Sequence, residues 1–260
     1  MTANRALWDS WTPYHLRSEF YDVAGFKAGR DPLDRMVLET LGEVRGCSLL
    51  HLQCHFGLDS LALARRGAEV TGVDFSSVAI AAARDLAWEA GVAARFVESD
   101  VYDLPSNLSG AFDMVFASHG ALCWLPDLAA WARVAVHFLK PGGRLCLVDA
   151  HPFAMIFDER RTDGALAVRE PYFSVGRPLV EETTGSYADR SAPARGTETT
   201  WLHTLEEVFQ SLLGAGLRIE QFREYPWLAF PFFPGMVRED GMWRKPSDPL
   251  PLTMAIVARK

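Results

Sequence analysis

The stretch LLHLQCHFGLDSLALARRGAEVTGVDFS, residues 49–76, reads as a strand, a helix and a second strand. Ser48–Leu52 is a short apolar run of strand type. Leu58, Leu61, Ala62 and Leu63 then recur at helical spacing, Gly67 ends that helix, and residues 69–73 are again apolar and β-rich. Two strands joined through a helix make a βαβ unit, which predicts a parallel sheet. In such sheets ligands bind beyond the carboxyl ends of the strands, so the residues following each strand carry most weight.

The alternation continues outward. Ser76 or Ser77 caps an alanine-rich helix that runs to Ala90 and stops at Gly91, and residues 94–98 make a third strand. Residues 112–117 are a fourth strand, and Asp127 caps a helix with Leu128, Trp131, Val134, Ala135 and Phe138 on one face. Pro141-Gly142-Gly143 then turns the chain into a fifth strand, 144–148. Thr204 and Glu207 have capping-box spacing ahead of a helix with Leu205, Val208, Phe209, Leu212 and Leu213 on its apolar face, ending at Gly214 or Gly216. Residues 217–222 make a sixth strand and 252–258 a final one. Residues 1–45, 150–200 and 225–251 lie outside this alternation and are too aromatic for solvated linkers, so they are expected to cover a ligand.

Composition narrows the partners. The 260 residues carry 26 Lys+Arg against 33 Asp+Glu, a net charge of -7, with no basic cluster, which argues against nucleic acid. The charges at Arg5, Asp9, Arg17 and Glu19 interrupt any signal-like apolar run, and no run approaches bilayer length, so the reading is an untargeted, cytoplasmic protein with no membrane association. Cys47, Cys54, Cys123 and Cys146 form no C-x-x-C pair and read as small hydrophobes in a reducing compartment. The His residues are scattered too, and no metal site is expected.

After the strands stand Gln53, Cys54, His55 and Gly57, then Asp74, then Asp100 and Val101, then Ser118 and His119. An acid ending the second strand accepts both hydroxyls of a ribose, or it caps the following helix. Asp100 accepts from an adenine amino group while the Val101 N–H donates to the ring, or Asp100 forms a turn ahead of Asp103-Leu104-Pro105. There is no G-x-G-x-x-G, the close backbone approach that a pyrophosphate needs, and this counts against a nicotinamide cofactor.

Together with ARFVESDVYDLP, FDMVFASHGALCWLPDL and LKPGGRLCLVDAHPF, the opening stretch resembles the class I S-adenosylmethionine-dependent methyltransferases, in particular a bacterial small-molecule subgroup. The resemblance implies a Rossmann-like seven-stranded, mostly parallel sheet with helices on both faces and an antiparallel last strand. It implies one domain over 1–260, with 1–45 as an N-terminal lid and 150–200 and 225–251 as substrate-cap insertions. The cofactor would be S-adenosyl-L-methionine, with Asp74 and neighbouring Phe75 at the ribose, Asp100 and Val101 at adenine, Cys54 and Gly57 lining it through backbone, and Ser118 and His119 beside the methionine part.

Where the family has an acid and glycines this chain has His51, Gln53, Cys54 and His55, keeping only Gly57, and Gln53 is a possible substitute for the acid. Tyr14 and Tyr21 are expected as lid contacts, since aromatic faces favour a sulfonium. Trp8 and Trp11 are expected to pack. His151, directly after the fifth strand, is the first choice of catalytic base, with His119 and His203 as runners-up. Trp124 and Trp201 would wall the pocket. The expected reaction is methyl transfer to an O, N or C nucleophile of a small, apolar or aromatic molecule. The alternatives are aminocarboxypropyl transfer or cyclisation on the same cofactor, or a non-catalytic binding module.

Overall fold

A computed structural model describes residues 2–247 and 250–260. Helices α1 (Thr2–His15), α2 (Val23–Lys27) and α3 (Arg35–Leu41) come first. Then follow β1 (Ser48–Leu52), α4 (Leu58–Arg65), β2 (Glu69–Asp74), α5 (Ser77–Ala90), β3 (Arg95–Glu98), α6 (Leu104–Asn107), β4 (Phe112–Ser118), α7 (Leu128–Phe138) and β5 (Leu139–Ala150). A hairpin of β6 (Pro178–Thr184) and β7 (Arg195–Trp201) precedes α8 (Leu205–Gly214) and β8 (Arg218–Tyr225). A short hairpin, β9 (Val237–Glu239) and β10 (Met242–Arg244), leads to β11 (Thr253–Arg259).

The main sheet has seven strands in the order β3-β2-β1-β4-β5-β11-β8. β1 to β5 pair in parallel, and β11 runs antiparallel to both β5 and β8. Side chains alternate between faces as pleating requires. Leu49, Met114, Phe116, Cys146 and Val148 join the core under α3, α4 and α5, while Leu50, Val115, Ala117, Leu145 and Leu147 join the core under α7 and α8. Strand order reverses between β1 and β4, so the loops after these strands flank the crevice where an open α/β sheet takes its ligand.

Two local features set the shape of that crevice. Gly57 opens α4 at φ 75°, and a Cβ there would lie 2.5 Å from the Phe96 ring, so only glycine fits. Residues 141–143, read as a turn before the fifth strand, instead bulge inside a strand that already starts at Leu139, because Phe112 pairs with Leu139 and Met114 with Arg144. The two hairpins are likewise elements that the sequence reading did not resolve.

Helix α1 does not stand free. The Asn4 side chain donates from Nδ2 to the Thr199 carbonyl at 2.7 Å and accepts at Oδ1 from the Thr199 N–H at 2.8 Å, docking the helix on β7. Trp11 Nε1 donates to the Gly185 carbonyl at 2.7 Å. At its other side, Asp9 Oδ1 accepts from Ser76 Oγ at 2.5 Å, beside the N-terminus of α5. No helix among the described residues is long and apolar enough to cross a membrane.

Candidate active site

The loop after β1 keeps an unusual backbone. Gln53, His55 and Gly57 have φ of 55°, 52° and 75°, three left-handed residues at alternate positions. Glycine takes that region freely, whereas Gln and His are held in it at about 1 to 3 kcal/mol each. Side-chain and backbone contacts hold them there. The Gln53 amide donates to the Ala121 carbonyl at 2.8 Å and accepts from Trp131 Nε1 at 3.2 Å. The His55 N–H donates to Asp74 Oδ2 at 2.8 Å.

Asp74 ends β2, 8% exposed, and its second oxygen accepts from the Ser76 N–H at 2.9 Å. Burial pushes its carboxyl up to about 6, against the pull of the Ser76 and His55 N–H groups. A carboxylate has roughly four lone-pair sites, so two bonds to backbone leave room for a diol. The sequence alternatives for this residue are therefore compatible, because Asp74 supports the turn into α5 while Ser76 caps that helix. Asp100 does form the turn, accepting at Oδ1 from the Tyr102 N–H at 3.0 Å. Val101 is buried, and its N–H makes no hydrogen bond among the described residues, which leaves a donor for a base.

Facing this loop, the segment after β4 is tied down from below. His119 has φ 53°, and its N–H donates to the Val148 carbonyl at 2.7 Å. Asp149, on β5, accepts from the N–H groups of Gly120 and Leu122. His119 Nε2 lies 2.6 Å from Asp34 Oδ2, off the line of a good hydrogen bond but well inside ion-pair range. Burial opposes a charge on His119, yet Asp34, with Asp59 and Asp149 further away, outweighs it and raises the imidazole to about 9. Asp34 in turn caps α3, accepting from the N–H groups of Met36 and Val37 at 2.8 and 3.0 Å.

An aromatic cluster closes the crevice from the α1 side. Trp8 lies 5.0 Å from His55 and 5.2 Å from Trp124, ring centre to ring centre. Tyr21 lies 4.7 Å from Phe56, and its hydroxyl meets that of Tyr187. His15, the last residue of α1, places Nδ1 2.9 Å from His55 Nε2.

The expected site residues thus separate. Tyr21, Cys54, Gly57, Asp74, Phe75, Asp100, Val101, Ser118 and His119 stand on or beside the crevice, where Phe75 sits under Arg5 of α1. Cys54 is buried with Sγ against Gly72, so it offers backbone only. Three others are placed differently from expectation. Tyr14 is half-buried against the cluster of Leu7, Trp11 and Ala194, with Arg17 over its ring. Gln53 is a brace between two loops, both ends of its amide being engaged.

His151, 2% exposed, is turned from the crevice toward β8: Nδ1 accepts from the Phe153 N–H at 3.1 Å and Nε2 faces Glu224 at 3.0 Å. With Nδ1 taken by Phe153, a neutral His151 carries its proton on Nε2, toward Glu224, which argues against the expected role as base. His203 also has both nitrogens committed, to Glu207 at 2.9 Å and to the Leu122 and Leu125 carbonyls. His119 is the wrong charge for a base near neutral pH, its pKa being raised to about 9.

Residues that sequence reading missed are His15, Asp34, Asp149, Tyr187 and Glu198. Glu198 lies on β7 directly across from Glu181, and shares a face with Gly196, whose Cβ position is 3.0 Å from Leu7 of α1. It is half-buried, and no hydrogen bond to its carboxylate is found among the described residues. Burial, then Glu159, holds that carboxyl above its ordinary range, with Arg160 and Arg169 acting the other way. A cavity of about 30 Å³ below the 122–124 turn is lined by Cys123, Met155, Trp201 and His203, among others.

Taken together, a buried carboxylate with spare lone pairs, a free N–H after β3 and unpartnered imidazoles over a glycine-opened helix fit a nucleoside cofactor that carries a polar arm and no phosphate. Among the described residues no His, Cys, Asp or Glu group is arranged to hold a metal.

Comparison with known proteins agrees. A family model described as a methyltransferase domain matches residues 49–143. The ubiquinone biosynthesis O-methyltransferase of Xanthomonas euvesicatoria pv. vesicatoria (strain 85-10) is 33% identical over 208 residues, covering 79% of this chain and 78% of its own length. Among solved structures, an S-adenosylmethionine dependent methyltransferase from Mesorhizobium loti superposes with a TM-score of 0.60 over 90% of this chain and 100% of its own, at 22% identity. Magnesium protoporphyrin IX methyltransferase from Synechocystis PCC 6803, with bound S-adenosylhomocysteine, does so with a TM-score of 0.51 over 92% and 81%, at 15% identity, a likeness of fold. A third of identical residues across most of both chains, on a sheet of this order, makes the chain a member of the class I S-adenosylmethionine-dependent methyltransferases.

Proposed function

We propose that the chain methylates an oxygen of a small, largely apolar or aromatic molecule. The observation that carries this reading is the aromatic enclosure where the α1 side meets the 122–124 turn, in which Trp8, Trp11, Trp124 and Tyr187 pack ring against ring. The named activity of the O-methyltransferase relatives supports oxygen as the nucleophile. When bound, S-adenosylmethionine supplies a methyl carbon made electrophilic by its sulfonium.

In this reading Asp74 accepts from the ribose hydroxyls, Asp100 and the Val101 N–H read adenine, and the backbone of Cys54 and Gly57 lines the arm. Phe75, Ser118 and Tyr21 complete the enclosure. Helix α1 excludes water, and aromatic faces favour a cation brought among them. Most of the rate then comes from holding the acceptor oxygen about 3 Å from the methyl carbon, in line with the bond that breaks.

An acceptor hydroxyl must lose its proton, and Glu198 is the group proposed to take it. Its carboxylate accepts no hydrogen bond among the described residues, it shares the face of β7 that meets α1, and its raised pKa brings it nearer the optimum for a base at neutral pH. His119 keeps its charge and holds the 119–122 loop to Asp34.

The reading is tested by incubation with S-adenosylmethionine and a panel of phenols and alcohols. It expects S-adenosylhomocysteine and a methyl ether in equal amounts. Methylthioadenosine as product would instead mean chemistry on the aminocarboxypropyl arm. Tight binding without turnover of any acceptor would mean a binding module.

A further inference from the structure

Helix α1 is bonded along two of its faces. Asn4, Leu7 and Trp11 recur at helical spacing and meet the β6–β7 hairpin. Arg5 and Asp9, one turn apart, point instead toward α5. The Arg5 guanidinium lies 5.9 Å from the centre of the Phe75 ring, while Asp9 Oδ1 accepts from Ser76 Oγ at 2.5 Å and more loosely from the Val78 N–H at 3.4 Å. Phe75 and Ser76 directly follow Asp74, and the Ser76 N–H donates to that carboxylate at 2.9 Å. One face of the helix thus stands on the cofactor side of the crevice and the other on the acceptor side.

The hairpin end is held by a side chain that imitates a strand. The N–H and C=O of one residue in an antiparallel strand point to the same edge, and the Asn4 amide takes both groups of Thr199, so it fills the edge of β7 that β6 leaves unpaired. Asn4 is 1% exposed, and its amide carries a donor and an acceptor as a peptide group does. Alanine has neither, and aspartate has no donor. Glu198 is the adjacent residue of β7, on the face where Gly196 lets Leu7 approach. No hydrogen bond among the described residues holds its carboxylate, so its direction is set by the roll of the strand that Asn4 fixes.

A line of bonds therefore crosses the crevice. It runs from Asp74 to Ser76, from Ser76 to Asp9, through the body of α1, and from Asn4 to Thr199, with Glu198 beside it. A ligand that orders one end of such a line lowers the cost of ordering the other, and the effect is reciprocal. None of the residues assigned to the cofactor lies on β7, so any response of β7 to the cofactor has to travel through other elements.

We propose that α1 couples the cofactor seat to the acceptor side, with Asp9 and Asn4 as positioning residues: a cofactor on Asp74 steadies Ser76 and Asp9, and Asn4 passes that order to β7 and to Glu198. The inference rests on the reading of Asp74 as the ribose acid and of Glu198 as the base, and it makes the base ready only once the cofactor is in place.

The test is hydrogen exchange on the full chain with S-adenosylhomocysteine as the probe. In the wild type the ligand should slow the amides of β7 roughly 5- to 150-fold, the span of a typical coupling between sites. Asn4→Ala and Asp9→Ala should each abolish that slowing while residues 74–78 still respond. A wild-type β7 indifferent to the ligand, or undiminished slowing in the variants, would overturn the inference, and variants on two faces of α1 keep it open to refutation if one fails to fold. Turnover on an acceptor from the panel gives a second reading. Asn4→Ala should lower kcat about 10- to 100-fold with the S-adenosylmethionine KM within about threefold, and Asn4→Gln should recover part of the loss. A rise in KM alone would mean that Asn4 only holds the helix down, and would overturn its positioning role. Wild-type turnover in Glu198→Gln would reject the base and leave the coupling to the exchange result. Failure of the wild type to bind S-adenosylhomocysteine would count against the cofactor reading itself.

Discussion

The two sides of the crevice treat their histidines in opposite ways. On the β1 side, His15 and His55 bond to each other and leave two buried nitrogens unmet. On the β5 and α8 side, His203 bonds through both nitrogens to the chain itself, and His151 accepts at Nδ1 from the Phe153 N–H with Nε2 within ion-pair distance of Glu224. The first arrangement leaves hydrogen-bonding capacity unused, and the second is a set of struts that position loops. A histidine's place after a strand is therefore a poor guide to its role, and the state of its two nitrogens is a better one.

Turnover should break this comparison most sharply. Glu198→Gln should lower kcat by roughly 100- to 10,000-fold, the usual contribution of a well-placed base, while leaving S-adenosylhomocysteine affinity nearly intact. A base works only when deprotonated, so the wild-type rate should fall as pH drops through the raised Glu198 pKa. That limb should vanish in the variant. A variant with wild-type turnover would remove Glu198 from the chemistry.

Affinity comes next. Asp74→Ala should weaken S-adenosylhomocysteine by about 30- to 150-fold in calorimetry, the loss of a charged acceptor for two hydroxyls. Unchanged affinity in a folded variant would reject the ribose assignment.

The His119–Asp34 pair should show itself in stability. Its folded pKa of about 9 stands above the ordinary 6.5, so the contribution is complete below the unfolded value and is lost as pH rises through the folded one. Denaturant unfolding should record a fall of about 3 kcal/mol across that window, flattened in His119→Gln. The smallest effect is expected at His151, where His151→Gln should change turnover less than about threefold. A loss in the range of a general base would return the proton to His151 and overturn the contrast between the two sides.

Much of this was readable in the chain. Near-continuous apolar runs at 49–52, 114–117 and 145–148 announce strands covered on both faces, and Gly57 and Asp74 fall where an α/β sheet presents its ligand groups. The hairpin β6–β7 escapes such reading because its strands are half-buried at best and carry charge on both faces, as at Glu181 and Glu182. The His15–His55 and Asp34–His119 contacts join residues of separate elements, and no local spacing encodes them. One signal was available: the resemblance sets Gln53 and His55 at family glycine positions, which implies a left-handed backbone there, as observed. Reading the side chains as substitutes for lost contacts obscured the point that the backbone had kept its shape.

The Asn4 clasp on Thr199 has a consequence for how the molecule is made. It joins residues 195 positions apart in the chain, so α1 leaves the ribosome long before its seat on β7 exists. The sheet strands β1 to β5 can pair during that interval, whereas the roof must wait for nearly the whole chain and for closure of a very long loop. The enclosure over the crevice is thus expected to be among the last parts to form during synthesis, and a nascent chain stalled before the hairpin would expose its α1 tryptophans to chaperones.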